Sequence, residues 1–290
     1  MGIVVLKVVL TPALIAAASL AGRRWGPAVS GWLVGLPLTS GPVVFFLALE
    51  HGTSFAAAAA VGTLAGTISQ AAFCMVYARL ALRGPWPFAL LGGCAAFLAV
   101  TAALIRVRLP AVVFFALALA ALVAALILLP HIRHERAVPA VARAGESAPP
   151  WWDLPARIVV ATAFVLALTE ASAALGAHVT GLLAPFPVYA SVLAVFAQRQ
   201  RGPAAAASVL RGLIYGLFGF AGFMLTLAEL LPRLGTAVAF AAAVVVALAC
   251  QGVSLWVIQR AAATRPPRSR RQRDRRPVPS QPPRRVGPRA

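Results

Sequence analysis

The sequence predicts an all-α polytopic membrane protein of about nine transmembrane helices, arranged as two inverted-topology four-helix repeats joined by one extra helix. Three observations carry this prediction. Of the 290 residues, 61% are hydrophobic and 11% are charged, with a mean hydropathy of +0.86, whereas a soluble domain carries about 25% charged residues. The apolar runs are long and lack the two-residue alternation of barrel strands. The first and second halves of the chain share glycines and prolines at corresponding positions.

The apolar runs divide into spans separated by short polar or glycine-containing connections. The predicted spans are residues 3–21, 27–49, 54–78, 86–105, 109–129, 156–177, 179–198, 204–231 and 235–258. The first is expected to be a retained span and not a signal peptide, since no basic residue precedes its apolar run. A polar loop fills 130–154, and the Arg/Pro-rich tail 260–290 is expected to be disordered because it has too little apolar material for a core.

The arginines predict the orientation, because cytoplasmic loops of membrane proteins carry an excess of basic residues. With nine spans, a cytoplasmic C-terminus and an outside N-terminus, the basic residues of the short loops fall mostly on one side. The cytoplasmic set is Arg23, Arg24, Arg79, Arg83, Arg133, Arg136, Arg143, Arg157, Arg199 and Arg201, and the outer set is Arg106, Arg108 and Arg233. The Ala/Arg/Pro/Gly bias of the sequence suggests a GC-rich bacterial genome, so we expect a multi-pass protein of a bacterial plasma membrane.

The two halves of the chain align without gaps when the residue numbers of one half are shifted by a constant. The matched pairs include Gly26 with Gly176, Pro37 with Pro187, Phe46 with Phe196, Gly52 with Gly202, Gly62 with Gly212, Gly66 with Gly216 and Phe73 with Phe223. Five spans precede the second copy, so that copy enters the membrane from the opposite face. The predicted segments are repeat 1 (1–105, spans 1–4), linking span 5 (106–129), the cytoplasmic loop (130–154), repeat 2 (155–259, spans 6–9) and the tail (260–290).

Prolines interrupt corresponding spans of the two halves. A proline in a helix removes a backbone donor and clashes with the preceding turn. Such breaks at membrane depth expose carbonyls and amides, and paired breaks in inverted repeats are typical of transporter binding sites. The sequence therefore predicts a substrate site at Pro37, Thr39 and Ser40 of span 2 and Pro187, Tyr189 and Ser191 of span 7. The alternative is a packing kink that two related copies share.

The same stretch resembles the GlpM-like family of small bacterial inner-membrane proteins. The family has a Gly-Leu-x-Pro-x-x-Pro stretch followed by an apolar run, an acidic residue and a glycine. The positions that carry the resemblance are Gly181, Leu182, Pro185 and Pro187, together with Glu50-His51-Gly52 and Gln200-Arg201-Gly202. The second proline comes one residue early, and Gly35 replaces the first proline in the first copy. The resemblance implies a tandem fusion of a unit that elsewhere stands alone, and it implies no defined activity.

Polar residues inside the spans give further candidates. Glu170 lies well within span 6 and Lys7 within span 1, and ionisable groups at membrane depth are costly and often functional. We predict that Glu170 pairs with Lys7 as a proton- or cation-responsive group, the alternative being a structural contact or a displaced span end. Gly62 and Gly66 predict a helix-packing face, and Gln70 a structural hydrogen bond.

Two functions remain open: a permease for a small solute or ion, and a non-transporting membrane protein such as an assembly factor or partner subunit. The spans contain no catalytic dyad or metal motif, so we expect no enzyme, cofactor or metal. The net charge of +19 is concentrated in the tail, which is expected to contact anionic lipid headgroups and to bind no specific nucleic acid. The other expected partners are the bilayer and, as an alternative to a monomer, a second copy in a homodimer.

Overall fold

A computed structural model describes Val9, Ala13, Pro37 and residues 40–129 and 153–263, except for the side chains of residues 153, 154, 156, 157, 160, 161, 189 and 254–263. Predicted span 1, most of span 2, Lys7, Thr39 and most of the polar loop and tail lie outside the described residues. The described part is helical and contains no strand, which agrees with the predicted all-α class. The chain divides into a large unit, Met1–Ser254, and a small unit, Leu255–Ala290, of which residues 255–263 are helical.

Eight helices follow one another along the described residues. They are α1 (Ser40–His51), α2 (Thr53–Ala81), α3 (Trp86–Leu104), α4 (Ala111–Leu128), α5 (Asp153–Glu170), α6 (Ser172–Leu183), α7 (Val188–Arg201) and α8 (Pro203–Ala263). Among the described residues, four helices are long and apolar enough to cross a membrane: α2, α3, α4 and the 203–253 part of α8. The protein is therefore compatible with a membrane-embedded helical fold.

Glycines with positive φ mark the turns between helices. Gly52 (φ 86°) precedes α2, Gly202 (φ 83°) precedes α8, Gly176 (φ 75°) interrupts α6 and Gly235 (φ 74°) interrupts α8. Residues with a Cβ atom avoid this left-handed region, which explains the glycine at each turn. Predicted span 6 (156–177) covers most of α5 and the beginning of α6, which only Ala171 separates, and the turn at Gly176 falls one residue before its predicted end.

Gly235 folds α8 into two antiparallel arms, and within the large unit these are a first arm (203–234) and a second arm (236–254). The amide of Gln251 donates to the carbonyl of Gly216 at 3.1 Å, and a Cβ atom at Gly222 would lie 3.4 Å from the sulfur of Cys250. Positions at similar distances along the chain before and after Gly235 thus face each other. The helix α8 is a hairpin, not one straight rod.

The helix α2 lies at the centre of the large unit. In its most apolar window 72% of the residues are buried, against 22% for α3 and 28% for α4. Leu91 of α3, Ile127 of α4 and Val245 of α8 expose 70%, 68% and 66% of their surface, as expected for side chains that face lipid. The central helix must therefore pack against protein on nearly every side.

Glycines allow α2 and α6 to pack backbone against backbone. A Cβ atom at Gly62 would collide with the carbonyl oxygen of His178, and one at Gly181 with the carbonyl oxygen of Ala59. Gly66 lies against Pro185 and against the carbonyl of Leu182. Small residues permit such close approach in membrane helices, where dispersion contacts and weak polar contacts replace the hydrophobic effect. The predicted packing role of Gly62 and Gly66 is confirmed.

We predict that Gly62→Ala destabilises the protein by about 1–3 kcal/mol, because the added methyl group overpacks the α2–α6 contact. The control is Gly252→Ala: a Cβ atom there meets nothing within 4 Å, and alanine favours a helix by about 1 kcal/mol over glycine. Thermal unfolding of both variants in detergent measures the difference. A Gly62→Ala melting temperature at or above that of Gly252→Ala would contradict the packing described.

Candidate functional site at two helix breaks

The first predicted break falls at the beginning of α1. Pro37 is half-buried and outside any helix, and α1 begins at Ser40. The carbonyl of Pro37 accepts the amide hydrogen of Gly41 at 2.8 Å, which forms the first turn of α1. Ser40 is 1% exposed. The predicted site residue Ser40 therefore sits at the buried beginning of a helix.

The second break separates α6 from α7. Proline occupies two of the four positions between the helices, Pro185 and Pro187. Pro187 has φ −80° and ψ 53°, and the amide of Val188 donates to the carbonyl of Phe186 at 2.8 Å. These are the angles and the bond of an inverse γ-turn. The amide of Phe186 donates to the carbonyl of Leu183 at 2.9 Å, so the backbone of the break is largely satisfied locally.

One hydrogen bond joins the two breaks. The hydroxyl of Ser40 donates to the carbonyl oxygen of Ala184 at 2.9 Å, across 144 residues of sequence. In a continuous helix that carbonyl would accept the amide of Val188, but the amide of Val188 is engaged with Phe186. Ser40 thus satisfies a carbonyl that the break sets free, which is what an apolar environment requires of buried backbone groups.

Protein surrounds the crossing of the two breaks. Ala184 is fully buried, and Pro185 and Pro187 are also buried. The ring of Phe186 packs edge-on against Phe97 of α3, with 5.2 Å between centroids. The crossing is therefore a non-helical backbone segment enclosed by α1, α2 and α3.

The structure unites part of the predicted site. Ser40 meets the break that contains Pro187, and Ser191 lies in the first turn of α7, where its amide donates to the carbonyl of Pro187 at 2.8 Å. Tyr189 belongs to α7, but its side chain, like Thr39 and Lys7, lies outside the described residues. The predicted pairing of Glu170 with Lys7 therefore stays a prediction.

Glu170 is remote from the crossing. It is the last residue of α5 and is exposed. The next helix begins at Ser172, whose hydroxyl is 2.9 Å from Nε2 of His51 at the far end of α1. Eleven residues of α-helix separate His51 from Ser40, a length of about 16 Å. Glu170 and the helix breaks are consequently two separate locations.

A polar contact between α2 and α7 was missed by the sequence analysis. The hydroxyl of Tyr77 donates to Oε1 of Gln198 at 3.0 Å. The amide Nε2 of Gln198 in turn donates to the carbonyls of Gly84 at 3.2 Å and Ala81 at 3.4 Å. Gln198 thereby caps the end of α2. A tyrosine and a glutamine within apolar runs were the available signal, but neither residue reveals its partner from sequence.

The site offers neutral oxygen ligands. Within the described ranges, no three histidine, cysteine, aspartate or glutamate side chains are grouped so as to hold a metal ion. The groups at the breaks are hydroxyls and backbone carbonyls instead. Such groups bind by hydrogen bonding, and they orient a small polar ligand without supplying a formal charge.

Comparison with known protein families, with curated proteins and with solved structures finds no match to this chain.

Ser40→Ala is predicted to lower the free energy of unfolding by about 1–3 kcal/mol, because it leaves the buried carbonyl of Ala184 without its donor. Ser208→Ala is the matched control: that exposed hydroxyl bonds only the carbonyl of Ala204 in its own helix, at 3.0 Å, and its loss should cost less than about 0.5 kcal/mol. Denaturation of the two variants in the same detergent compares them. Equal stabilities would show that the bond between the breaks contributes nothing.

Proposed function

We propose that this protein is a permease for a small solute, with its binding site where the two proline-broken helices meet. The observation that carries the proposal is the 2.9 Å hydrogen bond from Ser40 to Ala184, which joins one break to the other. Broken helices in corresponding positions of two halves are a recurring basis for transporter sites.

The proposal includes a duplication, with the constant offset that pairs Pro37 with Pro187. Equivalent residues share unusual backbone geometry: Gly52 has φ 86° and ψ 169°, and Gly202 has φ 83° and ψ 178°. The bonds from Gly41 to Pro37 and from Ser191 to Pro187 are also equivalent, and both measure 2.8 Å. Two copies of one unit, such as the GlpM-like unit that the sequence resembles, would produce these matches.

The antiparallel hairpins support the same offset. In the first half, the hydroxyl of Thr101 in α3 donates to that of Ser69 in α2 at 2.9 Å. The corresponding positions of the second half are Gly219 and Gln251, on the two arms of α8. A Cβ atom at Gly219 would lie 3.0 Å from Cγ of Gln251. The same pair of positions is thus in contact in both hairpins.

Helix directions support an inverted relation between the halves. Arg79, near the end of α2, donates to the carbonyl of Leu128 at 3.5 Å. Arg211, near the beginning of α8, donates to the adjacent carbonyl of Leu129 at 3.4 Å. The end of α2 therefore lies beside the beginning of α8, which is the arrangement expected if these two equivalent helices run in opposite directions.

We further propose the multi-pass topology of a bacterial plasma membrane protein with the N-terminus outside and the C-terminus in the cytoplasm. The helices α2 and α7 are parallel, since His51 meets Ser172 before them and Tyr77 meets Gln198 near their ends. Both helices have arginines at their C-terminal ends. Arg79 is in the last turn of α2 and Arg83 follows it, and Arg199 and Arg201 are in the last turn of α7. Basic residues collected on one face favour a cytoplasmic location for it.

A membrane-impermeant maleimide tests this orientation in intact cells. We expect Arg108→Cys, exposed in the α3–α4 connection, to be labelled, and Arg83→Cys, exposed after α2, to be labelled only after the cells are permeabilised. The parent protein, with Cys74, Cys94 and Cys250 replaced by alanine, gives the background. The reverse labelling pattern would overturn the proposed orientation.

A non-transporting role, as an assembly factor or partner subunit, is the second candidate. The observation that favours it is the burial of the crossing: Ser40 and Ala184 expose 1% and 0% of their surface. A closed, hydrogen-bonded crossing serves a structural role as well as it serves the occluded state of a permease. Flux across a membrane distinguishes these two functions.

We expect proteoliposomes with the purified protein to take up small solutes from a panel of glycerol, urea, acetamide and rubidium ions. The double variant Pro37→Ala/Pro187→Ala should lower that uptake at least tenfold, because restored amide donors let the helices continue through the breaks. Pro110→Ala, at an exposed helix start, is the control. If vesicles with the wild-type protein take up none of the solutes in the panel, the non-transporting role is favoured.

A further inference from the structure

Beyond the crossing, α2 and α7 continue side by side in the same direction. Gly66 of α2 lies against Pro185 just before α7 begins. Near the other end, Tyr77 bonds Gln198 at 3.0 Å. At Gly62 the α2 and α6 backbones touch with no side chain between them, whereas at Tyr77 two long side chains span the gap. The distance between the α2 backbone and the α6–α7 backbone therefore increases from the break towards the arginine-bearing ends.

Helix periodicity places two more polar side chains on the helix faces that carry Tyr77 and Gln198. Gln70 follows Gly66 by four residues and precedes Tyr77 by seven, so all three lie on one face of α2. Ser191 precedes Gln198 by seven residues and shares its face of α7. Because the helices are parallel, Gln70 and Ser191 lie at the same level, about 10 Å from the Tyr77–Gln198 bond.

Both of these side chains have a buried oxygen without a partner among the described residues. The atoms are Oε1 of Gln70 and Oγ of Ser191. An unpaired buried polar group costs about 1–3 kcal/mol, and hydrocarbon surroundings offer no water to relieve that cost. Two such atoms lie next to a helix break, on the faces of two parallel helices that also carry the Tyr77–Gln198 bond, where a ligand would supply the missing hydrogen bonds.

The equivalent interface in the other half lacks these polar groups. It lies between α1 and the first arm of α8, where a Cβ atom at Gly41 would be 3.8 Å from the ring of Phe223. The repeat equivalents of Gln70, Ser191, Tyr77 and Gln198 are, in that order, Phe220, Gly41, Leu227 and Ala48. All four of these equivalents are buried. The unit thus packs well without polar side chains at these positions, so packing does not explain the four in the second interface.

The chemistry of the four side chains restricts the ligand. The unpaired atoms are an amide oxygen, which only accepts, and a hydroxyl oxygen, which accepts and donates. They suit a ligand that brings hydrogen-bond donors. None of Gln70, Ser191, Tyr77 and Gln198 carries a formal charge, and an ion at this depth without a counter-charge would be costly. An uncharged ligand with hydroxyl or amide donors fits best.

We propose that the space between α2 and α7, bounded by Gln70 and Ser191 at the break and by Tyr77 and Gln198 beyond it, binds an uncharged, hydrogen-bond-donating solute of the polyol or amide class. This site lies along one of two equivalent interfaces, so the solute's path is asymmetric in the duplicated fold. The inference rests on the proposed permease function and names its substrate class and the side of the crossing on which the solute binds.

The test replaces the polar pair with the residues that the other half already uses. Gln70→Phe/Ser191→Gly removes both oxygens and keeps a combination that packs in the equivalent interface. Thr67→Val is the control, since that buried hydroxyl on α2 bonds only the carbonyl of Thr63 in its own helix, at 3.0 Å. Proteoliposomes are assayed for glycerol, urea and acetamide uptake by light scattering and for rubidium-ion uptake by radioactivity, and the melting temperature of each variant is measured in detergent.

We expect the wild-type protein to take up at least one uncharged solute. The double variant should fold and lower that uptake at least tenfold, and Thr67→Val should leave it unchanged. Unchanged uptake in the double variant would overturn the site while leaving the permease function intact. Rubidium uptake without uncharged-solute uptake would overturn the substrate class. If the double variant does not fold, Ser191→Ala alone should lower uptake at least threefold, and an unaltered rate overturns the proposal. Absence of all uptake in wild type would overturn the permease function and this inference together.

Discussion

The need to satisfy every backbone polar group away from water governs this structure. A proline break frees carbonyls from the helix ladder, and hydrocarbon cannot hydrate them. At the second break, the carbonyl of Phe186 accepts the amide of Val188 in a tight turn, and the carbonyl of Ala184 accepts the hydroxyl of Ser40. That hydroxyl comes from the first break. The second break is thus tolerated because the beginning of α1 lies beside it, and the crossing follows from this requirement.

The contacts of α2 with α6 and α7 lie on either side of this crossing. Glycines at 62, 66 and 181 let α2 approach α6 until their backbones touch, which brings protein directly against the break. Further along, Tyr77 and Gln198 hold α2 and α7 at a greater separation by a side-chain hydrogen bond. The α2–α6 contact is thus tightly packed, whereas the α2–α7 contact is wider and polar. The proposed solute site lies where the tight packing ends.

The sequence predicted those features that depend on residue type alone. Apolar length predicted the helices, glycine and proline predicted the turns and breaks, and the Gly62–Gly66 spacing predicted a close helix contact. The remote contacts could not be predicted, because they depend on the register of helices far apart in the chain, as between Tyr77 and Gln198 at a sequence separation of 121. Gln70 looked like an ordinary buried amide for the same reason. Hydropathy also carried span 6 across the interruption at Ala171, since an apolar window does not register a break of one residue between Glu170 and Ser172.

The central claim is that the two helix breaks are in contact, and a disulfide measures this directly. Ser40→Cys and Ala184→Cys are combined in a protein without its native cysteines, with a protease site inserted within residues 130–152. After mild oxidation and proteolysis, the two fragments should remain linked on a non-reducing gel and separate on reduction. Combining Ser40→Cys with Ser208→Cys should give no link. Fragments of the Ser40→Cys/Ala184→Cys protein that separate without reductant would contradict the crossing.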